Sequence, residues 1–152
     1  MKALIIYESY PHGNTKKVAE AMAGALKAKL VSAKEADANA LAEYDLIGFG
    51  SGIYKGKFDE SLLALIDRLP SMNKDVFLFY TCGLESGDIF FKYTKDAGDK
   101  LAAKGFRVIG KFSCPGWDTI PAVAWFGGIK KGRPSEADLE KAKIFAIKLT
   151  RP

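Results

Sequence analysis

The chain has 152 residues, 48% of them hydrophobic, with a formal charge of +5, a size that fills one core rather than two. No apolar stretch is long enough to span a bilayer and no charged, apolar and cleavage-site succession opens the chain, so a single cytoplasmic domain over residues 1–152, without a membrane span, is expected. Cys82 and Cys114 lack metal-ligand spacing and the one histidine, His12, is distant in sequence, which excludes a zinc centre and a disulfide scaffold and leaves reduced thiols as the expectation.

The first apolar run, Ala3 to Tyr7, reads as a strand. It leads into Glu8-Ser9-Tyr10-Pro11-His12-Gly13-Asn14-Thr15, after which Val18, Met22, Ala25 and Leu26 recur at helical spacing. A helix that follows such a turn directs its unpaired amide N–H groups and positive dipole end back at it, where an anion is stabilised. Ser9, Asn14 and Thr15 can donate to phosphate oxygens, and Gly13 admits a close backbone approach. An ordinary strand-to-helix loop with Asn14 as N-cap fits the same residues. His12 is either an exposed imidazole or a phosphate contact.

Further strands are expected at Lys29 to Ser32, Asp45 to Gly50, Val76 to Cys82 and Phe106 to Phe112. Their near-continuous apolar character suits a parallel sheet buried on both faces. Residues 33–43 suggest a short alanine-rich helix. Helical spacing returns in Leu62, Ile66 and Leu69 behind an Asp59 N-cap, and in Phe90, Tyr93, Ala97 and Leu101. It returns once more in Leu139, Ala142, Ala146 and Leu149, where Ser135 and Asp138 open a capping box after Pro134. The lysines are spread along these helices without a compact basic run, which reads as solvated faces and gives no nucleic-acid partner.

Strands that alternate with helices require right-handed crossovers and helices on both faces, an α/β doubly wound sheet of five parallel strands. In the order 2-1-3-4-5 the ligand site lies at the carboxyl ends of strands one and three, where the winding reverses. The unusual loops gather there: residues 9–15, 50–58, 81–88 and 113–118. Neither a Gly-x-Gly-x-x-Gly fingerprint nor a Walker loop is present, since Phe58 stands where a magnesium-ligating hydroxyl would be. A phosphorelay receiver would need an aspartate where Gly50-Ser51 stands, and a low-molecular-weight phosphatase a cysteine in the first loop.

Over essentially its whole length the chain resembles the flavodoxin family. The carrying residues are Ile5-Ile6-Tyr7-Glu8-Ser9 with Gly13-Asn14-Thr15, the glycine-rich loop after strand three, and residues 81–88 after strand four. The resemblance implies FMN as cofactor, with Ser9, Gly13, Asn14 and Thr15, joined by His12, around its phosphate. Ser51, Gly52, Ile53, Tyr54, Thr81, Cys82 and Gly83 would surround the ring. The first loop is one residue longer than the usual Ser/Thr-x-Thr-Gly-x-Thr form. The loop after strand four lacks an aromatic cover, so Trp117 either lies over the ring or packs on Trp125 and Phe126. Tyr54 either stacks on the ring or caps the sheet.

The resemblance implies a monomeric electron carrier that shuttles electrons between redox partner proteins. Many flavodoxins are acidic. Lys55, Lys57, Lys130, Lys131 and Arg133 instead imply partners with acidic docking surfaces. Two other readings share the scaffold: an FMN oxidoreductase of the quinone reductase or protoporphyrinogen dehydrogenase type, with residues 113–133 as a substrate wall, and a non-redox binding module that has lost FMN.

Overall fold

Strands that are apolar on both faces are buried only between two helix layers, and the computed structural model is built that way. It describes residues 1–9, 13–82, 89–115 and 132–151, residues 89–91 without their side chains. In chain order the strands are β1 (Ala3–Glu8), β2 (Lys29–Ser32), β3 (Leu46–Tyr54), β4 (Lys57–Phe58), β5 (Asp75–Cys82) and β6 (Arg107–Pro115). The helices are α1 (Asn14–Leu26), α2 (Glu60–Arg68), α3 (Ile89–Ala103) and α4 (Glu136–Lys148). A 3-10 helix at Ala38–Glu43 stands in the alanine-rich segment.

The five long strands are parallel in the order β2-β1-β3-β5-β6, which is the expected doubly wound 2-1-3-4-5 sheet. The short β4 was not expected. It turns back antiparallel on β3, pairing Ile53 with Phe58 and Tyr54 with Lys57. Two boundaries also move. Strand β3 runs four residues past Gly50, because Ser51 and Gly52 stay in register with Tyr80 and Thr81 of β5 while β4 holds residues 53 and 54. Strand β6 reaches Pro115 because Ser113, Cys114 and Pro115 stay paired with Tyr80, Thr81 and Cys82.

Side-chain alternation divides the core. On one face Ile6, Ile47, Phe49, Leu78 and Tyr80 pack beneath α2 and α3, meeting Leu62, Ile66, Ala97 and Leu101. On the other, Ala3, Ile5, Phe77, Phe79 and Cys114 meet Val18 and Met22 of α1 and Ala142 and Ala146 of α4. Glycine makes room on this second face. Gly48 lies beside Phe77 and Gly50 beside Phe79 in the β3–β5 register, and a methyl at either position would overlap the phenylalanine ring. Those rings stack at 6.0 Å, and Phe77 meets Phe145 of α4 edge-on at 5.9 Å. Gly110 of β6 gives α4 its seat, since a Cβ there would come within 2.8 Å of Leu149 and 3.1 Å of Phe145.

Helix α4 opens on the expected capping box. Ser135 Oγ accepts from the Asp138 backbone N–H at 3.3 Å while the Ser135 N–H donates to the Asp138 carboxylate at 2.7 Å. Arg133 adds a two-pronged pair to the same carboxylate, with Nη2 to Oδ1 at 2.7 Å. The guanidinium, together with the Ser135 donors, holds the buried Asp138 carboxyl down to about 2.

Two outcomes follow from this packing. Gly48→Ala should lower the unfolding free energy by about 1–3 kcal/mol, the usual cost of overpacking, because the buried Phe77 ring cannot move aside; chemical denaturation measures it. The depressed Asp138 carboxyl stabilises the fold above the ordinary aspartate range, and this contribution is lost as pH falls toward about 2. Asp138→Asn should therefore cost on the order of 2 kcal/mol at neutral pH, a difference that closes between about pH 4 and 2 in urea titrations.

Candidate functional site

The carboxyl ends of β1, β3 and β5, where the winding reverses, bring most of the sequence-predicted residues to one rim. The chain enters α1 through Gly13, which takes a left-handed φ of 66° and has open space where a Cβ would be. Gly13, not Asn14, is the N-cap, and it has no side chain with which to close the helix. Asn14 is the first helical residue, with its Oδ1 buried. Ser9 reaches over the turn, its Oγ accepting the Lys16 N–H at 3.0 Å, so its own proton is left to donate.

The first turn of α1 contains no acidic residue and carries exposed Lys16 and Lys17. By contrast, α2 begins with Glu60 and α4 with Glu136 and Asp138, the signs that a helix dipole favours. Lysine at a positive helix end is unfavourable unless an anion sits there, and the open glycine and the small donors around it suit a phosphate ester.

The second wall is the β3–β4 hairpin. Its turn places Lys55 and Gly56 at φ of 54° and 78°, the left-handed pair of a tight two-residue turn. Ser51 is buried, and its hydroxyl serves the hairpin itself, donating to the Gly52 carbonyl at 2.5 Å and accepting from the Asp59 N–H at 2.8 Å. Asp59 caps α2 as expected, accepting from the Ser61 N–H at 2.9 Å. Ile53 packs on the α2/α3 core. Tyr54 folds back so that its Oη lies 2.6 Å from where a Gly52 Cβ would be.

Thr81 and Cys82 end the third strand of the rim. Thr81 is buried and its Oγ1 lies 2.8 Å from Thr15 Oγ1, a contact between residues 66 apart that no local motif signals. Cys82 ends the fourth expected strand and Cys114 follows the fifth, neighbours in the order 2-1-3-4-5, which would put both thiols, reduced, on the rim and close enough to permit a disulfide. The register corrects this: Cys114 pairs with Thr81 and lies in the α1/α4 core, whereas Cys82 points to the opposite face and packs on the α2/α3 core. Thiols on opposite faces of a sheet cannot meet the geometry of a disulfide, and neither cysteine is in one. His12, Gly83 and Trp117 lie outside the described residues, as do Lys130 and Lys131.

Sequence reading also passed over Glu8, whose carboxylate Oε1 accepts the Ala33 N–H at 3.2 Å. Burial and the nearby Asp59 carboxylate together push its pKa up, against the opposing pull of the Ala33 and Lys34 backbone donors. A strand-terminal glutamate gives no hint in sequence that an aspartate fifty-one positions later comes close enough to repel it.

A doubly wound α/β sheet in the order 2-1-3-4-5, with a glycine-capped helix start at its switch point, defines the class of fold. The chain belongs to the flavodoxin family: the model of the flavodoxin domain matches residues 4–146. An uncharacterized protein of Methanocaldococcus jannaschii is 42% identical over 148 residues, covering 96% of both chains. In structure, the chain is similar to a flavodoxin from the domain Archaea, with a TM-score of 0.67 at 21% identity over 98% of this chain and 96% of that one. Oxidised flavodoxin 2 from Bacillus cereus gives 0.70 at 22% identity, over 97% and 96%. The rubredoxin:oxygen oxidoreductase of Desulfovibrio gigas contains the same fold within a longer chain, with a TM-score of 0.65 at 21% identity over 96% of this chain and 34% of that one.

Because the Glu8 carboxyl is raised, the folded state holds its proton more tightly than the unfolded chain, a contribution that is lost as pH rises through the folded pKa. Glu8→Gln keeps an acceptor for Ala33 and removes the repulsion from Asp59. The variant should melt above the wild type at pH 7, and the gap should vanish below the ordinary glutamate range in melts taken across pH.

Proposed function

We propose that this protein binds FMN at the rim and carries electrons between redox proteins as a cytoplasmic monomer, without a substrate of its own. The observation that carries this reading is the amide end of α1, which has Gly13 as its cap, two lysines and no carboxylate in its first turn, beside a β3 end whose Gly50 and Gly52 contribute no side chains. Flavodoxins are a family of FMN-binding electron carriers.

The residues present fit the cofactor. Ser9, Gly13, Asn14 and Thr15 would hold the phosphate through side-chain donors and the free amides of the helix end, without needing a metal to neutralise it. Gly52, Ile53, Tyr54 and Cys82 would stand around the ring, joined by Gly83, with Trp117 as its aromatic cover, and His12 would join the phosphate side. Ser51 would act at one remove by fixing the hairpin through Asp59. Bound FMN supplies the redox chemistry, and the protein supplies binding, orientation and electrostatics. The net charge of +5, with exposed Lys16, Lys17 and Lys55 near this end of the sheet, suits a partner with an acidic docking surface.

Titration of the apoprotein with FMN, followed by flavin fluorescence and absorbance, tests the reading. The expected result is one FMN per chain, with FAD binding far more weakly because one helix end and no second glycine fingerprint are present for a pyrophosphate. Asn14→Ala should weaken FMN by about 1–3 kcal/mol, the range for a lost bond to a charged group. A protein that stays colourless and takes up no FMN would overturn the reading.

A further inference from the structure

The resemblance implies that Thr81 stands against the ring, but its side chain is turned elsewhere. In register with Gly52 and Cys114, it points to the α1/α4 face, is 4% exposed, and meets Thr15 with 2.8 Å between hydroxyl oxygens. Thr15, 1% exposed, is the second residue of α1 and so belongs to the helix end proposed for phosphate. The bond therefore ties the start of α1 to the end of β5 beneath the rim, between two buried side chains.

Resting on the FMN reading above, we propose that Thr81 is a positioning residue of the phosphate half of the site, acting through Thr15, and not a ring contact. Two hydroxyls in one hydrogen bond carry two protons, of which the bond uses one. The second proton leaves the pair through Thr15 or through Thr81. An anion at the α1 end favours the first arrangement: Thr81 donates to Thr15, and the Thr15 proton is presented to the phosphate. Bonds aligned in this way polarise one another, so the donor offered to the phosphate is stronger than an isolated hydroxyl. Without Thr81 the Thr15 hydroxyl is also free to turn among its staggered positions, and that freedom must be given up when phosphate binds.

The consequence is selective for the ester. Riboflavin has the ring and lacks the phosphate, so it separates the two halves of the site. In fluorescence titrations of the full chain, Thr81→Val should weaken FMN on the order of 3- to 10-fold and leave riboflavin unchanged, from the lost rotor restraint and alignment. Thr81→Ser, which restores the hydroxyl, should recover FMN affinity. Thr15→Val should show the same selectivity with a loss of about tenfold or more, and the double valine variant should be no weaker than Thr15→Val alone. Should Thr81→Val not fold by circular dichroism, Thr81→Ala and Thr15→Val carry the same comparison. Riboflavin weakened by the same factor as FMN would make Thr81 a ring contact, and FMN affinity unchanged in Thr81→Val would make the bond a purely structural pin; either result overturns the proposal. A wild-type chain that binds riboflavin as well as FMN, or neither, would instead count against the FMN reading itself.

Discussion

The absence of side chains along one face of β3 is the constraint on which the rest of the domain depends. Gly48, Gly50 and Gly52 alternate with Phe49, Ser51 and Ile53, so one face of the central strand is bare and the other is filled. The bare face is closed from the neighbouring strand, with Phe77 and Phe79 laid over Gly48 and Gly50. Beyond them Gly52 is covered by Tyr54 of its own strand, and its β5 partner is Thr81, which meets Thr15 at the start of α1. One alternation thus yields a row of aromatic rings laid over glycines, from Phe77 in the core to Tyr54 at the rim.

Charge placement separates this helix end from those that only cap themselves. The starts of α2 and α4 are closed by Asp59 and by the Ser135–Asp138 box, with acidic residues in the first turn that answer the dipole internally. The start of α1 has a glycine cap, one distant serine and two lysines. A self-sufficient helix would not be arranged this way. Lysines in place of carboxylates at a positive helix end are the arrangement that the proposed phosphate site would require.

Legibility in the sequence followed the range of the interactions. Strand order, the Asp59 cap and the Ser135–Asp138 box were legible because periodicity and capping act within a few residues, or through one strict handedness rule. The ends of β3 and β6 were not, because residues 51–54 and 113–115 are held as strand by partners on β4 and β5, and Gly52 and Pro115 within them disfavour strand. The glycine-rich run at 50–56 reads as loop for the same reason. The Thr15–Thr81 bond and the Glu8–Asp59 repulsion join residues far apart in sequence, and only the winding of the sheet brings them together. The placement of the cysteines on opposite faces hung on a single residue of register between β5 and β6, which hydrophobic pattern leaves open when both faces are apolar.

Residues adjacent along the end of β3 and β5 therefore do different work on the two faces. Ser51 faces α2 and is tied through Asp59 to the start of that helix, which fixes the hairpin and with it Ile53 and Tyr54. Gly52, one residue on, lies on the other face, where the Tyr54 phenol folds over it, and its partner Thr81 meets the start of α1. Cys82, one residue beyond Thr81, returns to the α2 face. A ligand lying across the rim would touch both layers at once, its phosphate governed by α1 and its ring by the hairpin pinned to α2. With the α1 layer tied to β5 by the Thr15–Thr81 bond and the α2 layer tied to β3 by Ser51, the spacing between the two walls of the rim is set by paired strands and not by the loops.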